Sequence, residues 1–269
     1  EMVRSDWSSD VCSSDLAVDL FGRGVNLKLT YRNHINLSQS ASAAVGKPEM
    51  WELADRPVSL AGGVKWSRPT NDSYFGIGPS TTQSMRSYYM ANNTSIGAGA
   101  AWEFYPGLTA NAGIAYDVGT SGGNTYGSGP AVNAAFPAAD IPGFGRWIHY
   151  FVPGLKLQYD TRDNISLPSR GGIYTLSFSR YQGLGSGDFD FNQYELDARH
   201  FFPLWRPRMV LALHGGIKAQ QETGGGKIPF YKLSTLDVNS PLRGFTSGRF
   251  HDRNLIVLNA EYRFPIWEA

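Results

Sequence analysis

Asn254-Leu255-Ile256-Val257-Leu258-Asn259-Ala260-Glu261-Tyr262-Arg263-Phe264-Pro265-Ile266-Trp267 alternates with a period of two. In a strand, successive side chains point to opposite faces. Ile256, Leu258, Ala260, Tyr262, Phe264 and Ile266 therefore make one greasy face. The opposite face starts with the apolar pair Leu255 and Val257 and then carries Asn259, Glu261 and Arg263. A soluble sheet can contain such a strand once. Repetition of the pattern is what separates a membrane barrel from an ordinary hairpin.

Working outward, the alternation recurs in 25–31, 58–66, 96–104, 108–116, 155–159, 174–178, 194–202 and 209–219, with a blurred copy in 85–90. With the C-terminal stretch these make ten segments, and none of the chain carries a sustained 3.6-residue period. Residues 34–56 carry no assignable pattern. The reading is all-β, an antiparallel transmembrane barrel. Several segments reach the nine to eleven residues that a tilted membrane strand needs. Aromatic residues gather at segment ends: Trp66; Trp102, Phe104 and Tyr105; Trp147 and Tyr150; Phe201, Phe202 and Trp205; Tyr262, Phe264 and Trp267. That is where interfacial girdles fall. A sandwich also alternates, but barrels in addition place short turns on one side and long loops on the other. Tyr105-Pro106-Gly107 and 203–208 are short, 118–147 and 222–253 are long and Gly-rich, and 161–172 is intermediate on the short side. A short Ala91-Asn92-Asn93 connection on the long side departs from the rule.

The 269 residues carry a formal net charge of +1, so nothing points to nucleic acid or an acidic substrate. No run of about 18 apolar residues is present, so no membrane helix is expected. Charged residues make up 17% and aromatics 13%, with 31 glycines, which suits a β-rich envelope protein. The single cysteine, Cys12, lies in Asp6 to Leu16, DWSSDVCSSDL, which resembles one reading frame of a common sequencing adapter. Residues 1–16 are accordingly expected to be non-native, and 17–269 to be the barrel domain.

No catalytic constellation emerges. The histidines at 34, 149, 200, 214 and 251 lack metal-ligand spacing, with His214 expected in the lumen, and no phosphate loop or nucleophile elbow is present. Gly183-x-Gly185-x-Gly187 reads as an extracellular loop, and Asp160, Arg162 and Asp163 as a turn network. A secreted β-sandwich enzyme is disfavoured on this ground, and neither catalytic residues nor a cofactor or metal is expected.

Leu242-Arg243-Gly244-Phe245, in the long loop ahead of Asn259-Ala260-Glu261-Tyr262-Arg263-Phe264-Pro265, resembles the signature of the bacterial surface antigen superfamily, the BamA/TamA and two-partner secretion transporter relatives. Asp160-Thr161-Arg162-Asp163-Asn164 with Pro168 and Gly171 is similar to a recurrent periplasmic turn of that family, and Tyr74-Phe75-Gly76-Ile77-Gly78 adds a weaker likeness. The resemblance implies a bacterial outer-membrane barrel of sixteen strands, of which the ten segments would be strands three to twelve, with the chain truncated at both ends. It implies assembly and insertion of outer-membrane proteins, or polypeptide translocation, with membrane lipid and unfolded client polypeptides as partners. A passive pore or structural surface antigen without clients is the alternative. It also implies that the loop folds into the lumen and that Arg243 pairs there with Glu261. A planar guanidinium suits a carboxylate because it can grip both oxygens.

Overall fold

The computed structural model describes residues 2–8, 11–20, 24–34, 38–124, 129–185, 188–205, 209–235, 245 and 248–264. Along the chain run β1 (Met2–Ser8), β2 (Val11–Leu20), β3 (Val25–His34), β4 (Ser38–Leu53) and β5 (Arg56–Pro69). There follow β6 (Asp72–Tyr74), β7 (Ser87–Tyr105), β8 (Leu108–Gly123), β9 (Ile148–Asp160) and β10 (Gly171–Gly183). The last are β11 (Phe191–Pro203), β12 (Val210–Glu222), β13 (Ser234–Thr235), β14 (His251–Asp252) and β15 (Asn254–Arg263). One thirteen-stranded antiparallel sheet runs β1-β2-β3-β4-β5-β7-β8-β9-β10-β11-β12-β15, with β6 attached to β7. Strands β13 and β14 form a separate ribbon. Each long strand pairs with its sequence neighbour, the meander expected of a barrel wall.

From Val25 onward the meander has ten long strands, the expected number, but two of the expected bounds change. Segments 85–90 and 96–104 are one 19-residue strand, β7, with no turn at Ala91-Asn92-Asn93. Residues 34–56, left unassigned from sequence, contain the 16-residue β4. The adapter-like stretch also takes part in the sheet, β1 pairing with β2 and β2 with β3. Merging the two segments removes the exception at Ala91-Asn92-Asn93, and the connection 35–37 between β3 and β4 is then the short one on the long side. Connections 54–55, 106–107, 161–170 and 204–209 lie at one end; 70–86, 124–147, 184–190 and 223–253 lie at the other. By the barrel rule the first end is periplasmic and the second extracellular.

The faces follow the alternation. On β15, Leu258 is 79% exposed while its neighbour Val257 is 7% exposed. Leu155, Leu176, Leu196, Ile114 and Ile217 share the bare outer face. Inside the wall, Gly46, Ala61, Gly99, Gly113 and Gly154 stand opposite one another in one in-register row across β4, β5, β7, β8 and β9. A Cβ on Gly99 would lie 2.9 Å from the Ala112 carbonyl oxygen, and one on Gly63 in the adjoining row 2.6 Å from that of Ala43. At Gly63 and Gly99 the strands approach too closely for a side chain, which is how glycine turns the corner of a barrel.

Apolar packing is concentrated at the extracellular end. Tyr89, Ala91, Tyr150, Val152 and Phe191 point inward and pack against loop residues Tyr74, Val132, Ile141, Ile228, Phe230 and Leu233. A helical turn, Val132–Ala135, and a 3-10 turn, Phe230–Lys232, seat two of these loops. The long loops thus close over the inner face as a plug.

Candidate functional site in the lumen

The loop between β12 and β15 is held from three directions. Gln220, on the inward face of β12, donates from Nε2 to Gln193 Oε1 (3.0 Å) and to the Lys232 carbonyl (2.9 Å). Its Oε1 accepts the Ser234 N–H at 3.0 Å, and its own backbone N–H donates to the Arg253 carbonyl at 2.9 Å. The Gln220 side chain thereby holds the loop at residues 232–234 and its backbone holds the returning end at Arg253, and Gln220 and Ser234 are buried. A buried amide is stable there only because its donors and acceptor are used.

Lys232 supplies the second hold. Its Nζ lies 3.7 Å from Asp117 Oδ2 on β8 and 5.4 Å from the ring centroids of both Tyr150 and Tyr181. Burial pushes the ammonium below its usual range, and Asp117 pulls it back. Aromatic faces are a favourable setting for a desolvated cation. The third hold is Arg249, whose guanidinium sits between Phe75 (5.0 Å) and Phe250 (4.8 Å) and donates to Thr81 Oγ1 at 2.6 Å and to the Thr81 carbonyl. Nearby, Gly78 N–H donates to the His251 carbonyl at 2.9 Å, joining the Tyr74-Phe75-Gly76-Ile77-Gly78 segment to β14. Tyr74 is the hub, edge-on to Tyr89, Phe136, Phe230 and His251.

Lower on the inner wall, the inward faces of β11, β12 and β15 carry a charged ladder. Asp197 contacts His214 Nε2 at 2.6 Å and Arg199 Nε at 3.0 Å. Glu261 accepts from Arg263 Nε at 2.8 Å, and the Arg263 guanidinium lies 5.5 Å over Phe201. Arg199, Phe201, His214, Glu261 and Arg263 line a cavity of about 210 Å³ together with Ala212 and Asn259. The ladder is a row of fixed charges set against one another along and across neighbouring strands. It offers fixed charges and hydrogen bonds by which a loop or a passing chain can be held.

Of the residues expected from sequence, Glu261 is where alternation put it, on the inward face beside the cavity. His214 is also inward, paired with Asp197. Leu242, Arg243 and Gly244 lie outside the described residues. Phe245 is described, half-exposed, with its ring 5.4 Å from that of Phe250. The Asp160–Arg162 turn network is present, with Arg162 Nη2 2.7 Å from Asp160 Oδ2. Gln220, Lys232 and the Arg249–Thr81 contact were not anticipated. The one local sign was Phe230-Tyr231-Lys232, an aromatic run inside a Gly-rich loop.

The profile of the Omp85 superfamily domain matches residues 19–269. Among solved structures, the chain is similar to the crystal structure of BamA from Haemophilus ducreyi lacking POTRA domains 1–3, with a TM-score of 0.63 at 19% identity. That match covers 88% of this chain and 43% of the other, so this chain spans less than half of the length of the BamA structure. No curated protein matches the chain.

Proposed function

This chain belongs to the Omp85 superfamily, a bacterial outer-membrane β-barrel, and on that premise we propose that it serves outer-membrane protein assembly or polypeptide translocation. The observation that carries the proposal is the anchored lumenal loop, fixed through Gln220, Lys232 and Arg249. A passive pore needs an open lumen, whereas four long connections here converge on a packed plug. The action is non-enzymatic: as the family resemblance implies, a seam between the first and last strands of the whole barrel offers an edge to which a client strand can add by main-chain hydrogen bonding, and the loop braces the lumen meanwhile. Its partners are membrane lipid and unfolded client polypeptides. Depleting the full-length protein in its host should lower the level of folded outer-membrane proteins or of a secreted polypeptide. An unchanged envelope and secretome would leave the passive pore as the better reading.

Within that proposal Arg243 pairs with Glu261. Glu261 faces the lumen, and the loop from β12 to β15 runs over residues 223–253, long enough to fold back. With the loop docked against the wall, the pair should couple by more than the ~0–1 kcal/mol of an exposed ion pair. Glu261 also accepts from Arg263, so removing Arg243 alone takes away one of two guanidinium partners and leaves the carboxylate less well compensated, which is worse than losing both charges. Arg243→Ala should therefore lower barrel stability more than Arg243→Ala combined with Glu261→Gln. The check is a double-mutant cycle on full-length protein, and strict additivity would sink the pairing. We also propose that residues 1–16 are not native. The family match beginning at Asp19 supports this, and sequencing the gene from genomic DNA decides it.

A further inference from the structure

The turn between β9 and β10 is stiff where loops are usually loose. Asn164 Oδ1 accepts the Ser166 and Leu167 N–H groups, both at 2.9 Å. Asp163 Oδ1 accepts the N–H of Ser169 at 2.9 Å and of Arg170 at 3.2 Å, while the Ser169 hydroxyl donates to Asp163 Oδ2. Arg162 donates from Nε and Nη2 to Asp160 (2.9 and 2.7 Å) and from Nη1 to the Ile165 carbonyl (3.2 Å). Gly171, at φ 82°, brings the far arm so close that a Cβ would strike the Thr161 carbonyl. The N–H groups of residues 161–163, 166, 167, 169 and 170 are satisfied within the turn and its base, while its two large apolar side chains are bare: Ile165 is 79% and Leu167 73% exposed.

A turn that has already paired most of its backbone N–H groups can approach the interface with much of the usual desolvation cost of unpaired N–H groups removed. Being rigid, it loses little entropy on doing so. Its flanks say what it enters. The strands on either side end in Tyr159 and Tyr174 on the outer face, stacked at 6.3 Å and 22°, the start of a periplasmic aromatic girdle. The neighbouring periplasmic turns continue the same rim, with Tyr105 61% and Trp205 79% exposed. The apolar tip is thus continuous with the lipid-facing surface.

We propose that the β9–β10 turn is an interfacial anchor, with Ile165 and Leu167 seated at the headgroup–acyl boundary of the periplasmic leaflet. It fixes the depth of this side of the wall in the bilayer, as amphipathic interfacial segments do.

The test uses full-length protein with its other cysteines changed to serine, bearing Ile165→Cys or Leu167→Cys and labelled with the fluorophore NBD. The protein is reconstituted in phosphatidylcholine vesicles, with lumen-facing Ser177→Cys as the reference. The expected result at both tip positions is blue-shifted emission and quenching several-fold stronger by lipid carrying doxyl at acyl carbon 5 than by aqueous iodide. Stronger quenching from carbon 12 than from carbon 5 would place the tip in the hydrocarbon core and overturn the interfacial assignment. Quenching by iodide at the level of Ser177→Cys would place the tip in water, and protection from both quenchers would mean that protein covers it. Either of those outcomes also overturns the proposal.

Discussion

Gln220 does more for the lumen than its polarity suggests, because its side chain holds the β12–β15 loop at Lys232 and Ser234 while its backbone N–H binds the Arg253 carbonyl at the returning end. Gln220→Ala would leave the Lys232 carbonyl and the buried Ser234 N–H without this partner. Unsatisfied buried groups cost about 1–3 kcal/mol each, and the cost falls on local opening of the loop rather than on the wall. The variant should be cut by trypsin after Lys227 or Lys232 under conditions where the parent is resistant, with the wall intact by heat-modifiability on a gel. Equal resistance would show that the loop is held elsewhere. Glu261 was legible at this scale because alternation fixes a strand residue's face from its own neighbours. Gln220 was not, since its inward position is readable but its partners lie in a loop that nothing local places.

For the elements, the demand for glycine differs along the wall and is measurable. A Cβ at Gly63 would lie 2.6 Å from the Ala43 carbonyl oxygen and 3.1 Å from Ala44 Cα, both backbone atoms that cannot rotate away. At Gly46 the nearest atom would be 3.4 Å off, ordinary contact. Gly63→Ala should therefore cost about 1–3 kcal/mol, as overpacking does, and Gly46→Ala much less. Urea midpoints of folded full-length protein in detergent micelles would rank them, and a reversed order would refute the tight bend. The same small residues explain why the sequence misled. Ser38 to Gly46 is nearly all Ser, Ala and Gly, so β4 offers little contrast between its faces, and its pairing with β5 shifts register between Lys47 and Trp51. In β7, adjacent Tyr88 and Tyr89 blur the alternation because Tyr89 turns into the plug. Stretches with one face in lipid and one in a wet lumen were legible, whereas the small-residue β4 and the strand ends that touch the plug, such as Tyr89, Tyr150 and Phe191, were not.

The whole molecule is a sheet that holds its loops. His251 sits where several of them meet, 3% exposed and edge-on to Tyr74. Burial pushes its imidazole down to about 4 from 6.5, partly offset by a Gly248 backbone hydrogen bond. Between those values the opened loop binds a proton that the packed loop refuses, so the plug is fully stable above about pH 6.5 and loses stability as pH falls toward 4. The full shift corresponds to on the order of 3 kcal/mol. Hydrogen exchange over residues 226–253 should accelerate between pH 7 and pH 5, after correction for intrinsic rates, and His251→Phe should flatten the dependence. A parent with pH-independent protection would mean that His251 is solvated.

The ring cluster around Tyr74 and Phe230 has an electrical consequence. Ions in water cannot thread interlocked aromatic side chains, so in a planar bilayer the path through this end has high resistance while the loop stays docked. Each departure of the loop would then register as a step in current, making the position of a few buried rings audible one molecule at a time.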